Sequence, residues 1–117
     1  MLTVKTYQAT IYCGFRPAYK DMLKYDEDYY QEAKIICKNY CNNVNLCVTL
    51  KKTEFIYKEG DETGIEVGLI NYPRFAKTDL EIRELSINLA KILKDHFQQL
   101  RVSVVFSDET ILLGEKV

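Results

Sequence analysis

The sequence has 117 residues, of which 47% are hydrophobic and 28% charged, and this excludes collagen-like, low-complexity and disordered chains, which have too little apolar content to offset ordering entropy. The balance of 16 basic and 17 acidic residues disfavours a protein whose main task is to bind a nucleic-acid backbone, because such proteins usually have a basic excess. No apolar run approaches the roughly 20 residues that span a bilayer, and the N-terminus lacks a signal-peptide layout, so we expect one cytosolic domain over 1–117 without a membrane partner.

The first third of the sequence predicts a strand, a long loop and a helix. Residues 3–15 alternate between apolar and polar side chains, which is typical of a half-buried strand. Residues 16–25 show little periodicity, and so long a connection in a compact domain is often functional. Residues 27–43 place apolar side chains at three- and four-residue spacing and carry acidic residues at the start, which predicts a helix.

The middle of the sequence predicts a β-hairpin. Residues 46–58 are rich in β-branched and aromatic side chains, as strands are. The polar segment 59–64 contains two glycines and predicts the turn. Residues 65–72 are therefore expected to return as the antiparallel partner strand.

The last third predicts a helix followed by two strands. Thr78 and Glu81 have the spacing of a capping box, which opens a helix predicted over 79–99. Residues 101–106 predict a fourth strand, and a polar turn leads to a short fifth strand over 111–113.

This order of elements predicts an α+β fold. The order β-α-β-β-α-β plus a short C-terminal strand is that of a ferredoxin-like split βαβ sandwich, with two helices on one face of an antiparallel sheet. The opposite face is apolar enough to predict cover by another subunit, and hence a homo-oligomer, although a curled sheet is the alternative. Its residues are Thr10, Tyr12, Gly68, Ile70, Tyr72, Ser103 and Val105.

Two loops form the predicted ligand site. We take the first and third strands as parallel neighbours, so that the loops 16–26 and 71–78 leave the same sheet edge beside two helix N-termini, where anions bind. These loops contain five basic side chains, which points to a small anionic, nucleotide-like ligand. The expected roles are phosphate contact for Arg16 and Arg74, base stacking for Tyr19, Tyr25 and Tyr72, and a hydrogen bond from Asn71. The alternative is an ordinary solvated loop surface.

Other reactive side chains are interpreted as structural. Four cysteines, Cys13, Cys37, Cys41 and Cys47, lack the knuckle spacing of zinc sites and are expected to be free thiols that pack as small apolar groups. His96 lies on the apolar stripe of the second helix and has no carboxylate or hydroxyl spaced to pair with it. We therefore expect no metal, no cofactor and no catalytic residue.

Four segments carry a resemblance to a group of small proteins. They are Tyr7–Gly14, Thr53–Lys58, Gly68–Phe75 and Arg101–Phe106. Together they resemble small accessory proteins encoded by phages and prophages of Gram-positive bacteria. The resemblance implies a role against host defence, in the cytoplasm of the host cell, and some such proteins are oligomeric sponges that sequester a nucleotide signal.

The sequence thus predicts a non-catalytic homo-oligomer that sequesters an anionic nucleotide-like signalling molecule. The alternative is a module that inhibits a host protein through its open sheet face. A third possibility is a small phosphoesterase that uses the same basic loops. Nucleic acid is the least favoured partner, because the third strand lacks the aromatic pattern of RNA-binding modules.

Overall fold

A computed structural model describes residues 1–18 and 20–115. The elements of this part of the chain are β1 (Gln8–Gly14), α1 (Asp26–Val44), β2 (Val48–Tyr57), β3 (Gly60–Ile70), a 3₁₀ turn (Pro73–Phe75), α2 (Asp79–His96), β4 (Arg101–Phe106) and β5 (Thr110–Gly114). The predicted order of strands and helices is confirmed. Within the described ranges, no helix is both long and apolar enough to cross a membrane.

Local chemistry explains where the two helices begin and end. The predicted capping box of α2 is confirmed: the Glu81 amide donates to Thr78 Oγ1 at 3.1 Å, and the Thr78 amide donates to Glu81 Oε1 at 3.0 Å. Helix α1 has acidic residues throughout its first turn, where they complement the positive end of the helix dipole. It ends at Asn45, whose left-handed backbone (φ 51°) directs its amide to the Cys41 carbonyl.

The five strands form one antiparallel sheet in the order β2-β3-β1-β4-β5. This order and the two helices confirm the ferredoxin-like α+β fold, with β5 added at one edge. The prediction that the first and third strands are parallel is wrong, because β1 pairs antiparallel with β3. The crossover through α1 returns β2 in the direction of β1, and the hairpin then reverses the chain into β3.

The β2–β3 hairpin is longer and tighter than predicted. Pairing continues out to Tyr57 and Gly60, so the turn is only Lys58 and Glu59, and the predicted turn over 59–64 is wrong. Gly64 lies inside β3, where the backbone of β1 and the ring of Phe55 leave no room for a Cβ. That glycine therefore reflects a close approach between strands and not a turn.

The core lies between the helices and one face of the sheet. Alternate residues of the three central strands are buried there, including Ile11, Val67 and Val104, and they pack with Leu89 and Leu93 of α2. Burial of each such side chain stabilises the fold by about 1.5–3 kcal/mol. The residues between them point to the other face, which no helix covers; on that face Tyr12 and Phe55 meet edge to face, with ring centroids 6.4 Å apart.

Candidate functional site

The residues predicted to form one site lie at two opposite ends of the sheet. In the β1–β3 register Gln8 faces Ile70 and Gly14 faces Gly64, so the loop after β1 and the loop after β3 leave from opposite ends. A strand of this length separates them by about 20 Å. The prediction that loops 16–26 and 71–78 share an edge is therefore wrong, and Arg16 does not meet Asn71, Tyr72 or Arg74.

At the end where β3 leaves the sheet, the predicted residues make structural contacts. Asn71 Nδ2 donates to the Lys5 carbonyl at 2.9 Å, and Asn71 Oδ1 accepts from the Lys77 amide at 2.9 Å, so both amide atoms are engaged. The Arg74 guanidinium lies over the Phe75 ring, 5.4 Å from its centroid. Tyr72 is 40% exposed and precedes the 3₁₀ turn.

At the end where β1 leaves the sheet, a cluster of polar side chains surrounds Arg16. Arg16 Nη2 donates to Glu62 Oε2 at 3.0 Å and to the Tyr57 hydroxyl at 3.3 Å. Gln99 Nε2 donates to the Arg16 carbonyl at 2.7 Å and to the Phe97 carbonyl at 2.9 Å. Arg101 begins β4 at the same end, and we call Arg16, Tyr57, Glu62, Gln99 and Arg101 the β1-end cluster.

The other two predicted residues of this end take no part in these contacts. Tyr25 precedes α1 and is 85% exposed. Tyr19 lies outside the described residues. The ligand-binding roles assigned to both remain predictions.

Gly14 forms the floor of the β1-end cluster. A Cβ on Gly14 would lie 2.6 Å from Glu62 Oε1 and 2.8 Å from Gln99 Oε1, so only glycine leaves room for these two side chains. The two acceptor oxygens thus converge on one point above the backbone. Gln98 holds the neighbouring turn in a left-handed conformation (φ 53°), and its carbonyl accepts from the Ala18 amide at 2.9 Å.

Two open depressions adjoin the cluster and share Arg16 and Pro17. One has a volume of about 240 Å³ and is lined by Arg16, Pro17, Ala18, Glu62, Gln99, Leu100 and Arg101. The other has a volume of about 620 Å³ and is lined by Arg16, Pro17, Lys20, Asp21 and Leu23. Together they offer space in the range of roughly 300–1,000 Å³ that small-molecule sites occupy.

The electrostatics of the cluster are mixed. The hydrogen bond to Tyr57 and the charge of Glu62 both raise the pKa of Arg16, which therefore stays cationic. The guanidinium groups of Arg16 and Arg101 suit a carboxylate or phosphate, whereas Glu62 suits a cation. Such a site fits a ligand that bears both charges better than the purely anionic ligand that the sequence predicted.

Ion pairs fix the loop between β1 and α1 against the helices. Glu32 of α1 accepts from Lys24 Nζ at 2.7 Å through one oxygen and lies 2.7 Å from His96 Nε2 through the other. The hydrogen bond from Lys24 is the main reason that the pKa of Glu32 is lowered. His96 also meets Phe97 edge to face, so its described contacts are those of a residue that joins the two helices.

Two other depressions carry weaker arguments for a ligand. One of about 380 Å³ lies at the β3 end, where Tyr7 donates to Asp108 at 3.0 Å and Arg83 pairs with Glu109. The other, of about 460 Å³, is an apolar groove between α1 and β2. Its lining residues are Lys34, Cys37, Lys38, Cys41, Leu46, Cys47, Val48 and Leu50.

The cysteines behave as predicted. All four are free, Cys13 and Cys37 are buried, and burial raises the pKa of each of these two thiols to about 12. A thiol with so high a pKa is protonated at neutral pH and is a poor nucleophile or metal ligand.

Sequence reasoning missed four members of the β1-end cluster: Tyr57, Glu62, Gln99 and Arg101. A signal for two of them was present, since strand alternation places Tyr57 and Glu62 on the same face as Tyr12 once the hairpin is paired correctly. Gln99 was assigned to the second helix, but α2 ends at His96, and the three residues that follow form the turn to which the loop is anchored.

Comparisons with known proteins identify the fold but no family. No family model matches the sequence, and no curated protein matches it. Among solved structures, a phage SAM lyase in its apo state matches with a TM-score of 0.66 and 16% identity over 95% of this chain and 90% of the other. A phage SAM lyase in complex with S-methyl-5′-thioadenosine matches with a TM-score of 0.67 and 14% identity over 98% and 94%.

These neighbours bear on two predictions. They are phage proteins, which supports the predicted phage context, although nothing in them bears on Gram-positive hosts or on counter-defence. They are also enzymes, and this contradicts the prediction that the chain is a binding protein without catalytic activity. The chain thus shares its fold with phage lyases, one of which binds a nucleoside.

Proposed function

We propose that this protein is a phage enzyme that cleaves S-adenosylmethionine (SAM) and releases S-methyl-5′-thioadenosine. The observation that carries the proposal is the match of nearly the whole chain to a phage SAM lyase in complex with that nucleoside. A nucleoside ligand also agrees with the predicted nucleotide-like ligand. The β1-end cluster, with its mixed charges and two depressions, is the site that we assign to the reaction.

The proposed reaction needs no co-reactant. The bond between the sulfonium and Cγ of the methionine chain breaks, and its electron pair goes to sulfur, which becomes the neutral thioether of S-methyl-5′-thioadenosine. The substrate's own carboxylate oxygen forms the new bond to Cγ, so the second product is homoserine lactone. Atoms and charge balance without water, as a lyase reaction requires.

The site offers suitable partners for each part of SAM. The Glu62 carboxylate and the exposed Tyr57 ring favour the cationic sulfonium. Tyr12 and Phe55 offer aromatic surface on the same sheet face for the adenine base. Because this cyclisation joins a carboxylate to a cationic centre, the transition state carries less charge than the substrate, and exclusion of water favours it.

A second copy of the chain would exclude that water. The uncovered sheet face carries Ile70, Tyr72, Val105 and Leu112, each between 37% and 43% exposed. This supports the predicted homo-oligomer through this face, which would enclose the adjoining site. We keep the host-cell cytoplasm as the proposed location, where removal of SAM would act against methyl-dependent host defences.

The test is incubation of the purified protein with SAM, with products followed by mass spectrometry. We expect S-methyl-5′-thioadenosine and homoserine lactone in equal amounts. Recovery of homoserine instead, with oxygen from labelled water, would identify hydrolysis and contradict the lyase reaction. Intact SAM after prolonged incubation with a protein of native melting temperature would overturn the proposed function.

A further inference from the structure

We propose that the smaller depression of the β1-end cluster is a subsite for the zwitterionic amino-acid end of the substrate, with the ammonium above Gly14 and the carboxylate at Arg101. This inference rests on the proposed function and deepens it, because it assigns one part of SAM to named residues. It also predicts which adenosine derivatives the site distinguishes.

The ammonium position follows from two converging acceptor oxygens. Glu62 Oε1 and Gln99 Oε1 lie 2.6 Å and 2.8 Å from the point that a Cβ of Gly14 would occupy. The partners of these side chains leave both atoms free to accept: Arg16 engages the other oxygen of Glu62, and the Gln99 amide nitrogen donates to two backbone carbonyls. An ammonium group has three donors and no acceptor, so it matches this pair of oxygens and the charge of Glu62.

The orientation of the Gln99 amide is fixed by its surroundings. Its nitrogen faces the carbonyls of Arg16 and Phe97, and the reversed orientation would oppose two acceptors to its oxygen. The oxygen must therefore point to the floor at Gly14. Gln99 also ties the loop that carries Arg16 to the end of α2, so one side chain positions both the acceptor and the loop.

The carboxylate position follows from the strand order. Gly14 lies on β1, between Glu62 on β3 and Arg101 on β4, and Tyr12 pairs with Ser103, so Arg101 stands level with Gly14. The strands that flank β1 are about 10 Å apart, a span that long side chains close from both sides. A guanidinium and a carboxylate thus face each other across a bare floor, which is the arrangement that an α-amino acid requires. One carboxylate oxygen at Arg101 leaves the other free to attack Cγ.

The test compares two nucleosides that differ in this end. S-adenosylhomocysteine carries the amino-acid end but no sulfonium, whereas S-methyl-5′-thioadenosine lacks the amino-acid end. Binding of both is measured by calorimetry to the wild type and to Glu62→Gln, Arg101→Gln and Gly14→Ala, the last of which puts a methyl group at the ammonium position. Glu84→Gln and Lys91→Gln, on the exposed side of α2, are the matched charge controls.

We expect each of the three site variants to bind S-adenosylhomocysteine more weakly by about tenfold or more, with affinity for S-methyl-5′-thioadenosine within about twofold of wild type. The controls should change neither. Equal loss for both nucleosides, or no loss for either, overturns the subsite. If Gly14→Ala does not fold, the Glu62 and Arg101 variants decide. A wild type that cleaves SAM while its variants fail this pattern refutes the subsite alone, and a wild type that binds neither nucleoside refutes the proposed function as well.

Discussion

The two ends of the sheet carry similar kinds of side chain but use them differently. At the β3 end, Asn71 spends both amide atoms on backbone groups, and Arg74 packs on its neighbour Phe75. At the β1 end, Arg16 is held from three sides by Tyr57, Glu62 and the turn after α2, and two depressions open beside it. The first arrangement fixes a loop, and the second leaves charged atoms facing open space.

This difference shows that residue type alone does not identify a ligand site. Both loops contain arginine, lysine and tyrosine, and the sequence gave no reason to separate them. What separates them is whether polar atoms remain available once the backbone has been satisfied. By that criterion the β1 end is the candidate site and the β3 end is an anchor.

The largest expected effect comes from removing the arginine at each end in turn. We expect Arg16→Ala to lower kcat/KM for SAM by about 10- to 100-fold, because Glu62 then loses the partner that orients it. Arg74→Ala should leave kcat/KM within about twofold of wild type. Both are measured by release of S-methyl-5′-thioadenosine, with the melting temperature as the control for folding. A greater loss in Arg74→Ala would restore the assignment of the 71–78 loop to the site.

A smaller effect on stability is expected at the β3 end. Asn71→Ala removes two hydrogen bonds that join the 71–78 loop to Lys5 and Lys77, so the free energy of unfolding should fall by about 1–2 kcal/mol. Activity per folded molecule should not change. Urea unfolding measures the first and SAM turnover the second. Asn71→Asp, which keeps the acceptor but loses the donor, should lie between wild type and alanine, and unchanged stability in Asn71→Ala would contradict the anchor role.

The smallest expected effect depends on pH and concerns the ion pairs of the β1-end loop. The folded-state pKa of Glu32 is lowered, chiefly by Lys24, so its contribution to stability is present above its unfolded-state pKa and is lost as pH falls through the folded-state pKa. We expect Glu32→Gln to reduce the free energy of unfolding by about 0.5–1 kcal/mol at pH 6, and the difference from wild type to vanish under strongly acidic conditions.

Chemical denaturation across this pH range measures the difference. The exposed Glu59→Gln in the β2–β3 turn serves as the control, because the described structure gives Glu59 no ion-pair partner. A stability difference for Glu32→Gln that stays constant with pH would show that the lost contacts are not those of the carboxylate.

Much of the fold could be predicted because its signals are local. The capping box at Thr78, the acidic start of α1 and the alternation of β1 each depend on neighbours within a few residues. The hairpin turn could not be placed as reliably, because Gly60 and Gly64 resemble turn residues in sequence. In fact Gly64 makes room for the Phe55 ring, a contact between strands that no local pattern encodes.

The candidate site was the least predictable part, since it depends on strand direction and register. By itself the sequence determined which segments are strands and helices, which side chains face the core, and that basic and aromatic residues concentrate in loops. Only the tertiary structure decided that β1 and β3 are antiparallel, and this separates Arg16 from Arg74 and joins it to Tyr57, Glu62 and Gln99. The physical reason is that hydrophobic periodicity fixes the face on which a side chain lies, whereas the pairing of distant strands fixes its neighbours.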